Sequence, residues 1–285
     1  MPEKFFTLIT GASEGLGKSF ALDCARRNMH LILVALPDSG LDRLVDFIRR
    51  NFPVSVIAFE KDLTGPLSCH ELLMEIQRQK LSLRVLINNA GIGSTLPLSE
   101  ESVEFYERQI RLNVLATTII TRLFLTNLEQ HTPSYILNVG SMASFFFLQQ
   151  KQVYGATKSY IYFFSKSLRK EVRRGGIHVA VLCPGGINTN VPVTLLNRKL
   201  GWFSKLSVME PERVAAIAMD RLLRGDAVIV PGMVNNFFML LDKLLPGFVK
   251  KRVTDYGIRR LKREEHHTRW MQRGFPSPSV MTKMA

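Results

Sequence analysis

Phe5-Phe6-Thr7-Leu8-Ile9-Thr10-Gly11-Ala12-Ser13-Glu14-Gly15-Leu16-Gly17 is the stretch on which the fold turns. Phe5 to Thr10 is a short, continuously apolar run rich in β-formers, which predicts a strand covered on both faces, as in a parallel sheet. Three glycines follow at Gly-x-x-x-Gly-x-Gly spacing, and Lys18 to Asn28 then has helical character. Strand, glycine turn and helix in that order give a glycine motif its meaning. The glycines let the backbone turn tightly and approach a pyrophosphate. The helix N-terminus offers the anion unpaired N–H groups and a partial positive charge. The spacing differs from the commoner Gly-x-Gly-x-x-Gly, so the context carries the reading of a dinucleotide-binding turn.

The alternation continues along the chain. Leu31 to Leu36 reads as a second buried strand, followed by a helix from about Leu41 to Asn51. Val54 to Phe59 makes a third strand closing into Asp62-Leu63, and a helix covers Cys69 to Gln79. Val85-Leu86-Ile87 runs into Asn88-Asn89-Ala90-Gly91, and one helical pattern extends from Val103 through Asn113 to about Leu128. Tyr135 to Val139 ends at Gly140-Ser141, and a helix from Val153 to Arg169 comes next. His178 to Leu182 ends at Cys183-Pro184-Gly185-Gly186, and a helix over Pro211 to Leu223 precedes a last strand, Ala227 to Val230. Strands alternating with helices throughout predict an α/β protein built as one doubly wound parallel sheet of the Rossmann type. Ligands of such sheets bind beyond the carboxyl ends of the strands, where Gly11, Asn88, Ser141 and Pro184 all fall.

Bulk properties narrow the class. A chain of 285 residues, 46% hydrophobic and 22% charged, suits one large soluble domain. No run of about 18 apolar residues predicts a membrane span, and Met1-Pro2-Glu3-Lys4 leads into the first strand without a signal peptide, so a cytoplasmic location is expected. Cys24, Cys69 and Cys183 lack disulfide or metal spacing, which points to a reducing compartment and no metal. The net charge of +14 gathers late, in Lys250, Lys251, Arg252, Arg259, Arg260, Lys262, Arg263, Arg269 and Arg273. Such a tail suits an anionic surface, with a solvated helix face as the alternative. No nucleic-acid reader motif accompanies it, so no nucleic-acid partner is expected.

Tyr154-Gly155-Ala156-Thr157-Lys158 carries the chemistry. A tyrosine and a lysine four apart on a helix project from one face. An unperturbed phenol titrates near ~10, too high for ready proton exchange at neutral pH. An ammonium about 4 Å away, at an effective dielectric of ~20, favours the phenolate by roughly 4 kcal/mol. The expected result is a phenol lowered by up to ~3 pKa units, less the cost of desolvation.

Thr10-Gly-x-x-x-Gly15-x-Gly17, Asp62-Leu63, Asn88-Asn89-Ala90-Gly91, Asn113, Ser141, Tyr154-x-x-x-Lys158, Pro184-Gly185 and Thr189 stand in an order that resembles the short-chain dehydrogenase/reductase family, in its simple one-domain branch. The resemblance covers roughly residues 5 to 232, and Ser141 lies 13 residues before Tyr154, as in the family. It implies an enzyme that interconverts a carbonyl and a secondary alcohol with NAD or NADP. Tyr154 would exchange the proton, Lys158 would tune it and hold the nicotinamide ribose, and Ser141 would stabilise the substrate oxygen. Asn113 resembles the helix-kinking asparagine that positions a water in a relay to Lys158. Gly11, Ser13, Gly15, Leu16, Gly17, Asp62, Leu63, Asn89, Tyr154, Lys158 and Thr189 would contact the cofactor, while Asn88, Ala90 and Gly91 would chiefly support it. A homodimer or homotetramer is also implied.

The choice of cofactor rests on the end of the second strand, Ala35-Leu36-Pro37-Asp38. No carboxylate stands there to bind a ribose and no arginine follows to bind a phosphate. Glu14 sits where NADP-preferring relatives often carry a basic residue, but the missing acid favours NADP over NAD. A lid is expected at about 190–209, where Val191 to Leu196 and Gly201-Trp202-Phe203 are largely apolar, and Phe145, Phe146 and Phe147 follow Ser141. That composition suits a lipophilic ketone, such as a long-chain 3-keto lipid, a ketosphingoid base or a steroid-like ketone. Oxidation of an alcohol, or cofactor sensing without turnover, are the alternatives. The catalytic domain is expected over 1–232, an apolar and basic helical extension over 233–263, and a disordered tail over 264–285. The extension has the pattern of a helix lying on an anionic membrane or packing on protein, so a peripheral membrane location stands beside the cytoplasmic one.

Overall fold

Five of the six residues of the first strand are buried, because helices cover both faces of the sheet to which it is central. A computed structural model of the chain describes residues 4–94, 96–146, 148, 150–189, 194 and 207–244. Strand β1 (Phe5–Thr10) is followed by α1 (Gly15–Arg26), β2 (His30–Ala35), α2 (Leu41–Asn51), β3 (Val56–Glu60), α3 (Ser68–Arg78) and β4 (Ser82–Asn88). Then come α4 (Val103–Ile110), a π-helical turn (Arg111–Ala116), α5 (Thr117–Gln130), β5 (Ser134–Val139) and a 3₁₀ turn (Met142–Ser144). The series continues with α6 (Gln152–Val172), β6 (Ile177–Leu182), α7 (Pro211–Leu223), β7 (Val228–Ile229) and α8 (Met233–Leu244).

All neighbouring strands are parallel, in the order β3-β2-β1-β4-β5-β6-β7. The chain winds outward from β1 to β3, then returns to place β4 on the other side of β1. That reversal opens a crevice at the carboxyl ends of β1 and β4, the place where such sheets bind ligands. The expected doubly wound sheet is present, and the strands lie within two or three residues of their expected ends. The pattern expected as one helix over Val103 to Leu128 is divided by the π-helical turn. The chain separates into a unit Met1–Met239, which holds the sheet, and a second, Leu240–Ala285. Most of the expected lid and everything past residue 244 lie outside the described residues, as does Phe147.

Two apolar layers clamp the sheet. On one face Phe20 and Cys24 of α1, Leu44 and Ile48 of α2, and Val214, Ala218 and Leu222 of α7 pack against β-strand residues such as Ile9 and Leu33. On the other, Leu72 and Ile76 of α3 and Ile120, Phe124 and Leu128 of α5 cover Leu8, Ile32 and Leu86. A buried polar chain crosses this apolar interior. Asn88 Nδ2 donates to Thr121 Oγ1 at 2.9 Å and to Asn138 Oδ1 at 2.8 Å. Asn138 Nδ2 donates to Ser165 Oγ at 2.9 Å, and Ser165 Oγ donates to the Ile161 carbonyl at 2.6 Å. The chain links β4, β5, α5 and α6, so the helix bearing Tyr154 and Lys158 is bonded to the sheet as well as packed on it.

Asn138→Leu removes the middle of this chain, leaving Asn88 Nδ2 with Thr121 alone and Ser165 Oγ with the Ile161 carbonyl alone, at a cost of about 1–3 kcal/mol for the two lost bonds. Chemical denaturation should show a loss of this size. A midpoint equal to that of the parent chain would show that the polar chain contributes nothing to stability.

Candidate active site

The glycine turn is shaped by contact as much as by conformation. Gly11 and Gly15 take left-handed backbone angles, with φ of 65° and 52°. A side chain at Gly17 would overlap the Gly11 carbonyl oxygen and stand 2.6 Å from Asn89 Nδ2. Only hydrogen fits there, so α1 is drawn close beneath the turn. Asn89 Nδ2 donates to the carbonyls of Thr10 and Gly11 at 2.9 and 3.0 Å, while Thr10 Oγ1 accepts from the N–H groups of Asn89 and Ala90, both at 3.0 Å. These bonds stitch the end of β1 to the end of β4. Glu14, the residue preceding α1, makes no side-chain cap, and no acidic side chain lies in the helix's first turn. The amino end of α1 is therefore left for an outside anion.

Of the other expected cofactor residues, Thr189 is brought against the turn. A Cβ added to Gly15 would lie 3.0 Å from Thr189 Cβ, which brings the segment after β6 against the glycine loop. Ser13 lies in that loop and Leu16 is buried at the start of α1, while Leu63 is buried after β3. Burial works against the charge of Asp62. Thr64 donates to its Oδ1 from Oγ1 at 2.7 Å and from its backbone at 2.9 Å, and with the field of Arg108 this holds the carboxyl below its usual range. The set fits a dinucleotide: a cradle that a side chain would fill, an open helix end, and a fixed carboxylate.

Ser141, Tyr154, Lys158 and Asn113 come together from three segments. Ser141 follows β5, and its turn is held by bonds from Gly140 N to the Leu182 carbonyl at 2.7 Å and from Met142 N to the Pro184 carbonyl at 2.8 Å. Its hydroxyl accepts from Ala143 N at 3.1 Å, and it is near enough to Tyr154 to pull that phenol's pKa down. Ser144, the nearby competitor, instead donates to the Lys158 carbonyl at 2.9 Å. The Lys158 ammonium lies 5.7 Å from the centroid of the Tyr154 ring and donates to the Val139 carbonyl at 2.8 Å. Asn113 sits in the π-helical turn. Its Oδ1 accepts from Ile92 N at 2.9 Å, and its Nδ2 donates to the Ile92 carbonyl at 2.9 Å and to Thr157 Oγ1 at 3.1 Å. A Cβ added to Gly91 would stand 3.1 Å from Asn113 Oδ1 and 3.4 Å from Lys158 Nζ, so glycine keeps a space between them.

The electrostatics depart from expectation. Burial pushes the Tyr154 phenol above its ordinary value, with Ser141 acting against that rise. Lys158 does not lower it as the four-residue spacing suggested. Its ammonium is turned to Val139, and burial lowers its own pKa to about 8. Cys183, at the end of β6, completes the group; burial pushes its thiol up to about 12, against the pull of the Ser141 N–H and of Lys158. Three neighbours escaped the sequence reading. Thr157 ties Asn113 to Tyr154 by donating to the Tyr154 carbonyl at 2.7 Å. Gln109 donates to the Ile92 carbonyl at 3.1 Å, and its position four residues before Asn113 was the available signal. Arg43 folds back from α2, its Nη2 3.0 Å from a Cβ added to Gly40, and no local motif marks it. Among the described residues no group of three or more His, Cys, Asp or Glu side chains could hold a metal, and no helix is long and apolar enough to cross a membrane.

Comparison with known proteins gives a consistent set of matches. The family model for short chain dehydrogenases matches residues 6–199. A 3-oxoacyl-[acyl-carrier-protein] reductase of Buchnera aphidicola is 30% identical over 193 residues, 68% of this chain and 78% of that protein. A very-long-chain 3-oxoacyl-CoA reductase of Macaca fascicularis is 27% identical over 192 residues, 65% of this chain, and the match spans 60% of the macaque protein's length. Among solved structures, a short-chain dehydrogenase from Sphingobium yanoikuyae in complex with NADPH superposes with a TM-score of 0.73 at 28% identity, over 90% of this chain and 94% of that one.

The lowered pKa of Lys158 sets a sign for stability against pH. The neutral amine is favoured in the folded state, so this contribution is present above the unfolded value of 10.5 and is lost as pH falls through about 8. At pH 7 the buried ammonium costs on the order of a few kcal/mol. Lys158→Met should therefore gain stability relative to the parent chain at pH 7, and the gap should narrow as pH rises from 8 to 10.5. Denaturation midpoints across that range decide it; a gap independent of pH would refute the assignment.

Proposed function

The chain belongs to the short-chain dehydrogenase family and is an oxidoreductase of the CH–OH/C=O couple, and on that premise we propose that it uses NADPH to reduce a lipophilic ketone of the 3-oxoacyl kind. The observation that carries this reading is the burial of Lys158 beside the Tyr154 ring, with Ser141 close enough to that phenol to draw its pKa down. Tyr154 donates its phenolic proton to the carbonyl oxygen, and Ser141 stabilises the charge that develops on that oxygen. Lys158 and Asn113, on either side of the space kept by Gly91, supply the path by which Tyr154 regains its proton. The bound nicotinamide supplies the hydride. Gly11, Ser13, Gly15, Leu16, Gly17, Asp62, Leu63, Asn89 and Thr189 hold the dinucleotide. A phenol raised by burial is protonated at neutral pH and so stands ready in the form that reduction requires, although burial makes it a weaker acid.

Three observations support NADPH. Strand β2 ends at Ala35 without a carboxylate, and Arg43 places a guanidinium against the loop that follows, where a ribose phosphate would meet it. The Sphingobium relative is bound to NADPH. An apolar substrate is supported by the cluster behind the Ser141 turn, in which Met142, Ile161, Tyr162, Val181, Cys183 and Val230 are buried against Phe145, Phe146 and Met239. The Buchnera and macaque relatives are both named for 3-oxoacyl substrates.

Tyr154→Phe should bind NADPH as the parent does, measured by nucleotide fluorescence, while turnover on 3-oxoacyl thioesters falls by about 10²–10⁴-fold. Full activity in this variant would end the proton-transfer assignment. Arg43→Ala should raise KM for NADPH by about tenfold, the worth of one charge-assisted contact, and leave KM for NADH within about twofold. Equal effects on both nucleotides would remove Arg43 from phosphate recognition.

A further inference from the structure

Two ammonium groups approach the ring of Tyr154. Lys158 lies 5.7 Å from its centroid and Lys151 lies 5.9 Å from it. The first is met by the Val139 carbonyl. Lys151, the residue just before α6, is partly buried, and no described residue meets its ammonium with a hydrogen-bond acceptor or a carboxylate. Burial pulls its pKa below the usual lysine range, the mark of a charge that is short of a partner.

Lys151 lines a crevice with Ser94, Tyr106, Gln109, Gln152 and Tyr154. Gln109 is 1% exposed. Its Nε2 donates to the Ile92 carbonyl at 3.1 Å, which fixes the amide, since the reverse orientation would set oxygen against oxygen. Its Oε1 then remains buried without a hydrogen-bond partner. Buried amide oxygens are almost always paired, so one left open beside a reactive tyrosine marks where a donor is received. A cation and a buried acceptor thus line one narrow crevice, which a ligand would have to widen to reach both.

We propose that this crevice is a substrate subsite in which Lys151 binds an anionic group, carboxylate or phosphate, and Gln109 Oε1 accepts a hydrogen bond from a hydroxyl or amide N–H of the same molecule. The ketone taken by this site therefore carries an anion near its carbonyl in addition to an apolar body. The inference rests on Tyr154 as the reacting centre and, within ketones of the 3-oxoacyl kind, selects a free 3-oxo acid or a phosphorylated analogue over the neutral thioester. Lys151 is partly buried, so an ion pair formed here discriminates between a charged substrate and its neutral analogue more strongly than a fully exposed lysine would.

Calorimetric titration of the enzyme saturated with NADP+ tests this with three ligands of one chain length: octanoate, octyl phosphate and octanol. One of the two anions should bind at least tenfold more tightly than octanol, and the winner identifies the group. Lys151→Met should erase that preference and Lys151→Arg should keep most of it. Gln109→Leu should abolish the several-fold advantage of 3-hydroxyoctanoate over octanoate. Equal binding of all three ligands to the parent enzyme, or a preference that survives in Lys151→Met, overturns the proposal. A lysine that only tunes Tyr154 would give no binding preference and a shifted pH profile, which also overturns it. Binding is read without turnover, so a failure of the reductase reading, seen as no NADPH oxidation with any ketone, is distinguishable from a failure here.

Discussion

Lys158 carries its ammonium into the interior at the end of β5, and the Val139 carbonyl accepts from it at 2.8 Å. A cation so placed is tolerated only where polar groups face it and the geometry is held, because an unmet buried charge would unfold the region. Much of the surrounding architecture answers that requirement. Ser144 donates to the Lys158 carbonyl and accepts at its own carbonyl from Ser159 Oγ at 3.1 Å, fixing the turn after β5 against α6. The Asn88–Asn138–Ser165 chain repeats the attachment deeper in the sheet. The strand end and the helix are thus locked at two levels, and Ser141 and Tyr154 are brought together by the same bonds.

The cofactor half is organised by a second constraint, the close approach of α1 to the turn after β1. Gly17 permits it, and Asn89 covers the carbonyls that the turn leaves exposed. Thr10 is the hinge between the halves: its hydroxyl accepts from two successive N–H groups at the end of β4, and the chain from there leads to Gly91, beside Lys158. Glycine at 91 leaves open the space between the lysine and Asn113, and the π-helical turn holds Asn113 at that edge. Its extra residue per turn lets one side chain leave the helix pattern and bond to the Ile92 backbone.

The fold was legible because its signals are local. β1 and α2 begin and end where apolar runs and periodicity place them, and the glycine turn lies between a strand and a helix as its motif requires. The residues of the candidate site were legible as an ordered set. What the sequence could not supply were facts of three-dimensional packing. The π-helical turn has no compositional mark, so Val103 to Leu128 read as one helix. The tyrosine was expected to be acidified because four-residue spacing suggests a contact near 4 Å, whereas the ammonium turns away to a strand carbonyl and burial dominates. Arg43 escaped notice because it reaches the β2 loop by folding back across Gly40, from a helix position that reads as ordinary surface.

The protonation states at the site also order the steps of proton supply. Near neutral pH, Tyr154 and Cys183 both keep their protons, since burial raises each of them. Lys158, lowered to about 8, is the member of the trio whose proton is most readily exchanged at that pH. On the proposed reading, a proton given by Tyr154 to a carbonyl leaves a phenolate that burial disfavours, beside an ammonium that burial also disfavours. Each loses its charge if the proton moves from lysine to tyrosine. The same desolvation that makes Tyr154 a poor acid at rest thus drives its reprotonation, and the space kept by Gly91 is where the lysine would recover its proton in turn.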